Sequence, residues 1–222
     1  MTVVPQYPHQ IVQRGNHRFD VFFSDEDRLT YLGHIGRTAC QRYVVAIWAY
    51  CLMSNHIHFV AVPSEMDSLA RSFSEAHVRY TRRINCREGW KGHLWQARFG
   101  SSVLDENHLI AAVRYVERNP VRAGIVKEAW EYPWSSAAYH IGKVQEAGII
   151  SSNDMLRELI GDWKTYLREK DEHGFLESVR RESFVNRPLG DVSFINGLEE
   201  QFQLRLSRGK AGRPAKIKDM AK

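Results

Sequence analysis

Two apolar, β-rich segments separated by a two-residue turn constrain this chain more than any other feature. Tyr43 to Met53 is a run of β-branched, aromatic and small apolar residues; Ser54-Asn55 interrupts it, and His56 to Val62 resumes the pattern before Pro63. A run of about eleven residues falls well short of the roughly twenty that a membrane helix needs, and its composition favours a buried strand. A two-residue connection pairs such strands as an antiparallel hairpin. The chain must therefore build a sheet and cover it.

The flanking segments supply the cover. Tyr7 to Arg14 reads as a strand entering a turn at Gly15-Asn16. Ser24 followed by Asp25, Glu26 and Asp27 starts a helix, with acids favoured in its first turn by the helix dipole. That helix runs to about Arg42 and carries Leu29, Leu32, Ile35 and Ala39 at helical spacing. Ser68 to Asn85 predicts a long basic helix with Leu69, Phe73, Ala76 and Tyr80 on one side. After a loop over Gly89 to His93, Arg98 to Leu104 predicts a strand. Asp105 or Asn107 then caps a helix from about His108 to Arg118, which Pro120 ends. The order βαββαβα implies an α+β fold, an antiparallel sheet with helices of the ferredoxin-like kind.

From about Ile141 the character changes to short helices at Ile149 to Ile160, Trp163 to Asp171 and Ser193 to Leu206. The expected organisation is a catalytic or binding domain over 1–140, a helical extension over 141–206 and a basic tail over 207–222. Hydrophobic residues make up 43% of the 222 and charged residues 26%, which excludes a disordered chain. Met1-Thr2-Val3-Val4-Pro5 lacks a signal-peptide pattern. The odd set Cys40, Cys51 and Cys86 points to reduced thiols, so a cytoplasmic, membrane-free location is expected.

The net charge of +5 says less than its placement. Arg79, Arg82, Arg83, Arg87, Lys91 and Arg98 crowd one segment, interleaved with Tyr80, Trp90, Trp95 and Phe99. Bases stack on aromatic faces while guanidinium groups hold phosphates, which suits single strands; a solvated helix face over core aromatics is the competing reading. Arg205 to Lys222 holds seven basic residues and one acid. Within it Gly209-Lys210-Ala211-Gly212-Arg213-Pro214 is similar to an AT-hook core, although a generic disordered basic tail is the favoured reading.

His56-Ile57-His58 carries the first sharp chemical signal. Strand side chains alternate, so both imidazoles project from one face about 7 Å apart and can converge on a metal, with Ile57 and Phe59 toward the core. Alone, such a pair is more often surface decoration. Tyr115-Val116-Glu117-Arg118-Asn119 is the second signal. Residues i and i+4 share a helix face, so a hydroxyl nucleophile and an amide oxygen ligand point the same way. Alone, this pair reads as a packed Tyr and a helix C-cap.

Several ordered segments change that balance. They are Arg14-Gly15-Asn16, Tyr50-Cys51-Leu52-Met53-Ser54-Asn55-His56-Ile57-His58, Gly92-His93-Leu94-Trp95-Gln96-Ala97-Arg98-Phe99, the run from Arg114 through Asn119-Pro120 to Gly124, and Tyr132-Pro133-Trp134-Ser135-Ser136. Over residues 5 to 140 the series resembles the REP-associated tyrosine transposases (RAYT), a branch of the single-tyrosine HUH transposase superfamily. Arg187-Pro188-Leu189-Gly190-Asp191 is similar to a segment found downstream in many members.

The resemblance implies a nucleophile at Tyr115, a divalent metal (Mg²⁺ or Mn²⁺) held by His56 and His58, and Asn119 as third ligand. It implies a metal-dependent endonuclease and strand transferase that works through a 5′-phosphotyrosine intermediate. The substrate it implies is single-stranded DNA bearing a palindromic hairpin, handled by a monomer in preference to a dimer, in the cytoplasm at the nucleoid. Arg79, Arg82, Arg83, Lys91 and Arg98 are the expected DNA contacts, with Arg14 and Arg122 beside them; Trp134-Ser135-Ser136 is expected to pack rather than touch substrate. The chain departs from the family at Ser54, where Pro is common, and at Glu117 and Arg118, where His and Leu are common. Glu117 is expected on a different helix face from Tyr115, where an acid could still tune metal preference. Two other readings compete: a non-catalytic hairpin-binding regulator, and an RNA-binding sheet using Tyr43, Trp48 and Tyr50.

Overall fold

The computed structural model describes residues 3–146, 148–169 and 186–206. The strands are β1 (His9–Arg14), β2 (Val45–Leu52), β3 (His56–Pro63) and β4 (Gly100–Val103), and every neighbouring pair is antiparallel in the order β2-β3-β1-β4. Three longer helices, α1 (Asp25–Ile35), α2 (Ser68–Glu88) and α3 (Glu106–Glu117), complete the βαββαβα order. This is the ferredoxin-like α+β arrangement expected from the pattern. No helix among the described residues is long and apolar enough to cross a membrane.

The two-residue period of the strands divides the molecule into two cores. Ile57, Phe59 and Ala61 of β3 face α1 and α2, packing with Tyr31, Ile35, Phe73, Ala76 and Tyr80. On the opposite face Ala49, Cys51 and Val60 pack with Leu109, Ala112, Val113 and Val116 of α3. His56 and His58 belong to that second face, and so do Arg14 and Val12, their partners across β1. Placing the histidines beside α3 is thus a consequence of strand parity.

Local capping follows the sequence closely. Ser24 accepts the Asp27 N–H and Asp105 the His108 N–H, as N-cap chemistry requires. Beyond Ile35 the helix continues to Arg42 in a wider π-type winding. Two expectations need correcting. Leu29 is 61% exposed, and the buried stripe runs through Tyr31, Ile35 and Ala39 instead. Pro120 does not simply stop a helix: α3 ends at Glu117, and Pro120 lies in the first turn of a new short helix, α4 (Asn119–Arg122), where it forfeits no hydrogen bond.

The helices Asp154–Ile160 and Trp163–Arg168 lie against α3, burying Leu156, Trp163, Tyr166 and Leu167 in the second core. Trp134 to Ser136 runs along β2, with the Leu52 N–H bonded to the Trp134 carbonyl and the Ser136 N–H to the Tyr50 carbonyl. This segment packs, as its composition suggests. Tyr43, Trp48 and Tyr50 lie on or beside this edge strand, each half-buried, and not on an open central strand as an RNA-binding sheet would place them. Arg187 to Asp191 lines the other edge, where Leu189 pairs with Leu104. The AT-hook-like residues and the 207–222 tail lie outside the described residues.

Gly15 shows why the Arg14-Gly15-Asn16 turn takes the residue it does. A Cβ there would sit 2.2 Å from the Phe19 carbonyl oxygen and 2.8 Å from Val21 Cγ1. Because a backbone atom is the obstacle, little can yield. Gly15→Ala is expected to destabilise the protein by about 2 kcal/mol, in the range for forced overpacking. An unchanged thermal melting midpoint would contradict this.

Candidate active site

Each group of the centre is set by a different local device. The Ser54-Asn55 turn is wired to the segment after β1: the Ser54 carbonyl accepts the Val21 and Phe22 N–H groups, and the Asn55 carbonyl accepts the Gly15 N–H. The Asn55 side chain donates its amide to the Arg18 carbonyl at 3.0 Å, which turns its oxygen toward His56 Nδ1 at 2.6 Å. That contact assigns the imidazole proton to Nδ1 and leaves Nε2 as the lone-pair donor. Asn55 is thus a positioning residue that reading for turns alone missed. Its only sequence signal is a polar side chain immediately before the histidine pair.

His56 and His58 approach with ring centroids 5.0 Å apart and planes nearly perpendicular. Burial pushes the His56 pKa down to about 4, and the positive charges of Arg14 and Arg122 add to this, opposed by the hydrogen bond that the ring makes to the Asn119 side chain. The ring is therefore neutral near pH 7, the form that binds metal.

α3 brings the phenol to the histidines. The Tyr115 ring packs edge-on against His58 with centroids 5.4 Å apart. Arg122, one short helix later, lays its guanidinium over the same ring at 4.0 Å and donates Nη2 to the Tyr115 carbonyl at 2.7 Å. Asn119 is buried and within hydrogen-bonding reach of His56, and its amide nitrogen has no partner. Tyr115 and Asn119 do share a side, but across the junction of α3 and α4 and not on one continuous helix.

The donors suit a divalent ion. Two imidazoles offer nitrogens, and the Asn119 amide adds an oxygen beside His56. Among the described residues no three His, Cys, Asp or Glu side chains cluster. Glu117 does not lie toward this centre. Fully buried, it accepts hydrogen bonds from Ser136 Oγ and His140 Nδ1, and His140 in turn stacks on Trp163 at 4.2 Å. The acid ties α3 to the elements behind it.

The basic residues separate. Arg14 lies across from His56 and Arg122 against Tyr115. Arg79 is paired with Glu75 at 2.8 Å and Arg83 with Glu26, both on the far side of the sheet. Arg82, Lys91 and Arg98 are exposed around the loop that follows α2.

Comparison with known proteins bears on the family and the fold. Residues 3–119 match the family model described as "Transposase IS200 like". A Haemophilus influenzae protein named for the REP-associated tyrosine transposases is 24% identical over 147 residues, covering 59% of this chain and 84% of that protein. A solved REP-associated tyrosine transposase bound to a REP hairpin superimposes with a TM-score of 0.54 at 17% identity, covering 68% of this chain and 88% of the other.

Proposed function

This chain belongs to the IS200-like transposase family, and on that footing we propose that it is a metal-dependent single-stranded DNA endonuclease and strand transferase acting at hairpin repeats. The observation that carries this reading is the Tyr115 ring held against His58 while Asn119 reaches His56.

In the proposed reaction the Tyr115 oxygen attacks the scissile phosphorus. The Tyr–O–P bond forms as the P–O3′ bond breaks, and the phenolic proton is balanced by the one taken up at the 3′ oxygen. The products are a 5′-phosphotyrosine and a free 3′-hydroxyl. Rejoining reverses the step with an incoming 3′-hydroxyl and needs no nucleotide cofactor, because the linkage energy is retained. Arg122 fixes the ring from its face and through its backbone, which limits rotation away from the phosphate. His56, His58 and Asn119 would hold the metal, and a divalent ion bound there would polarise the phosphate and stabilise the charge of the transition state. Imidazole ligands favour Mn²⁺ over Mg²⁺. One chain supplies all four groups, so a monomer suffices.

The test is incubation with single-stranded hairpins taken from repeats flanking the gene, read as covalent protein–DNA adduct on denaturing gels. Adduct should form with Mn²⁺ and fall at least about a hundredfold with chelator or in His56→Ala, as expected when an electrostatic contribution of several kcal/mol is lost. Adduct formation unaffected by chelation would refute the metal assignment.

A further inference from the structure

Two clefts outside the His56–Tyr115 centre meet at the same residues. One, of about 430 Å³, is lined by Arg14, Arg18, Gln96 and Asn186 and starts beside His56, the cross-strand partner of Arg14. The other, of about 780 Å³, runs between α2 and the loop that follows it, with Arg82, Trp90 and Trp95 in its walls. Ala97 and Arg98 line both, and among the described residues neither lining includes a carboxylate.

The loop that carries Trp90 is well anchored. Gly89 takes a left-handed φ of 67° to end α2, the Trp90 N–H bonds the Asn85 carbonyl at 2.9 Å, and Asn85 Nδ2 bonds the Gly92 carbonyl at 3.0 Å. Trp90 nevertheless remains 49% exposed, touching Phe23 edge-on. A rigid, half-exposed indole beside guanidinium groups is the arrangement on which bases stack. His77 in the floor stacks on Trp95 at 4.5 Å, and burial pushes its pKa down to about 3. The positive charge of the groove therefore comes from Arg82 and Arg98. Arg79 and Arg83 are engaged elsewhere.

We propose that the two clefts form one channel for the single strand flanking the cleavage point. The strand leaves the His56 side along Arg14, crosses the sheet edge at Ala97 and Arg98, and stacks a base on Trp90. Asn186 brings the C-terminal extension into this path, its side-chain oxygen already fixed by the Ser101 N–H at 2.8 Å. The proposal rests on the single-stranded DNA reading above and assigns the route of the DNA.

The test uses the full-length protein and a fluorescein-labelled oligothymidine long enough to span both clefts, read by anisotropy and by quenching of tryptophan fluorescence. Trp90→Ala and Arg98→Ala should each weaken binding about tenfold, the scale of one lost stack or phosphate contact. Trp90→Phe should restore most of the affinity, and Arg98→Ala should flatten the salt dependence by about one unit of slope. Both alanine variants binding like the wild type would overturn the channel, as would Trp90→Phe binding no better than Trp90→Ala. Tyr115→Phe separates the two proposals: it should bind the oligothymidine normally. Weakened binding in the channel variants with no adduct on any hairpin would sink the enzyme reading and leave the channel standing.

Discussion

Replacing Tyr115 by Phe is expected to abolish the covalent protein–DNA adduct, by about a thousandfold or more, while leaving the fold and DNA affinity in place. The substitution removes only the oxygen that would bond to phosphorus, and no other group in the centre can replace a nucleophile. The ring that packs on His58 and lies under Arg122 remains. Tyr115 is 6% exposed, so losing its ring would open a cavity, whereas losing its hydroxyl leaves packing almost unchanged. The thermal midpoint should therefore move little, and hairpin binding measured by anisotropy should stay within about twofold. Adduct persisting in this variant would place the nucleophile elsewhere.

The largest stability effect is expected at Asp27. Its side chain is fully buried and accepts Arg87 Nη1 at 2.5 Å, Arg87 Nη2 at 3.0 Å and the Phe23 N–H at 3.0 Å. The pair fastens the first turn of α1 to the last turn of α2, at the base of the loop that carries Trp90. Asp27→Ala leaves the Phe23 N–H and both Arg87 Nη groups without their acceptor, with only Arg87 Nε still held by Glu88 at 2.6 Å, which costs about 3 kcal/mol. This is the low end for breaking a buried pair, because Arg87 is 36% exposed and water can reach it. For a chain of this length that lowers the melting midpoint by roughly 10 °C. Burial pushes the Asp27 pKa up, but the Arg87 hydrogen bonds and the Phe23 N–H outweigh it, and the net shift is below the ordinary 3.8. A depressed carboxylate contributes stability above its unfolded pKa and loses it as pH falls through the folded value. The gap between wild type and Asp27→Ala should thus be full at pH 7 and shrink as pH drops below 3.8. Equal midpoints at pH 7 would rule out the anchor.

What the sequence alone determined was local and periodic. Strand alternation put His56 and His58 on one face, the two-residue turn made the hairpin, and Ser24 and Asp105 marked helix starts by their own side chains. Each depends on neighbours within four residues, so each is readable without a fold. The ordered motif series added the family. What only the tertiary structure decided were partners distant in the chain. Asn55 orients His56 because its amide is fixed by the Arg18 carbonyl, and Arg122 settles on the Tyr115 ring because a second helix starts at Asn119. Glu117 meets Ser136 and His140, whose positions no helical period encodes.

The basic residues of α2 and its loop show the same limit. Arg79, Arg82, Arg83 and Arg98 look alike in sequence, yet Glu75 and Glu26 engage two of them and the clefts take the others. Charge pairing in Arg83 is set by a residue fifty-seven positions away, which composition cannot see. The hairpin that opened the problem was legible from its period of two. Which groups gather on its histidine face depended on packing α3 and α4 across the sheet.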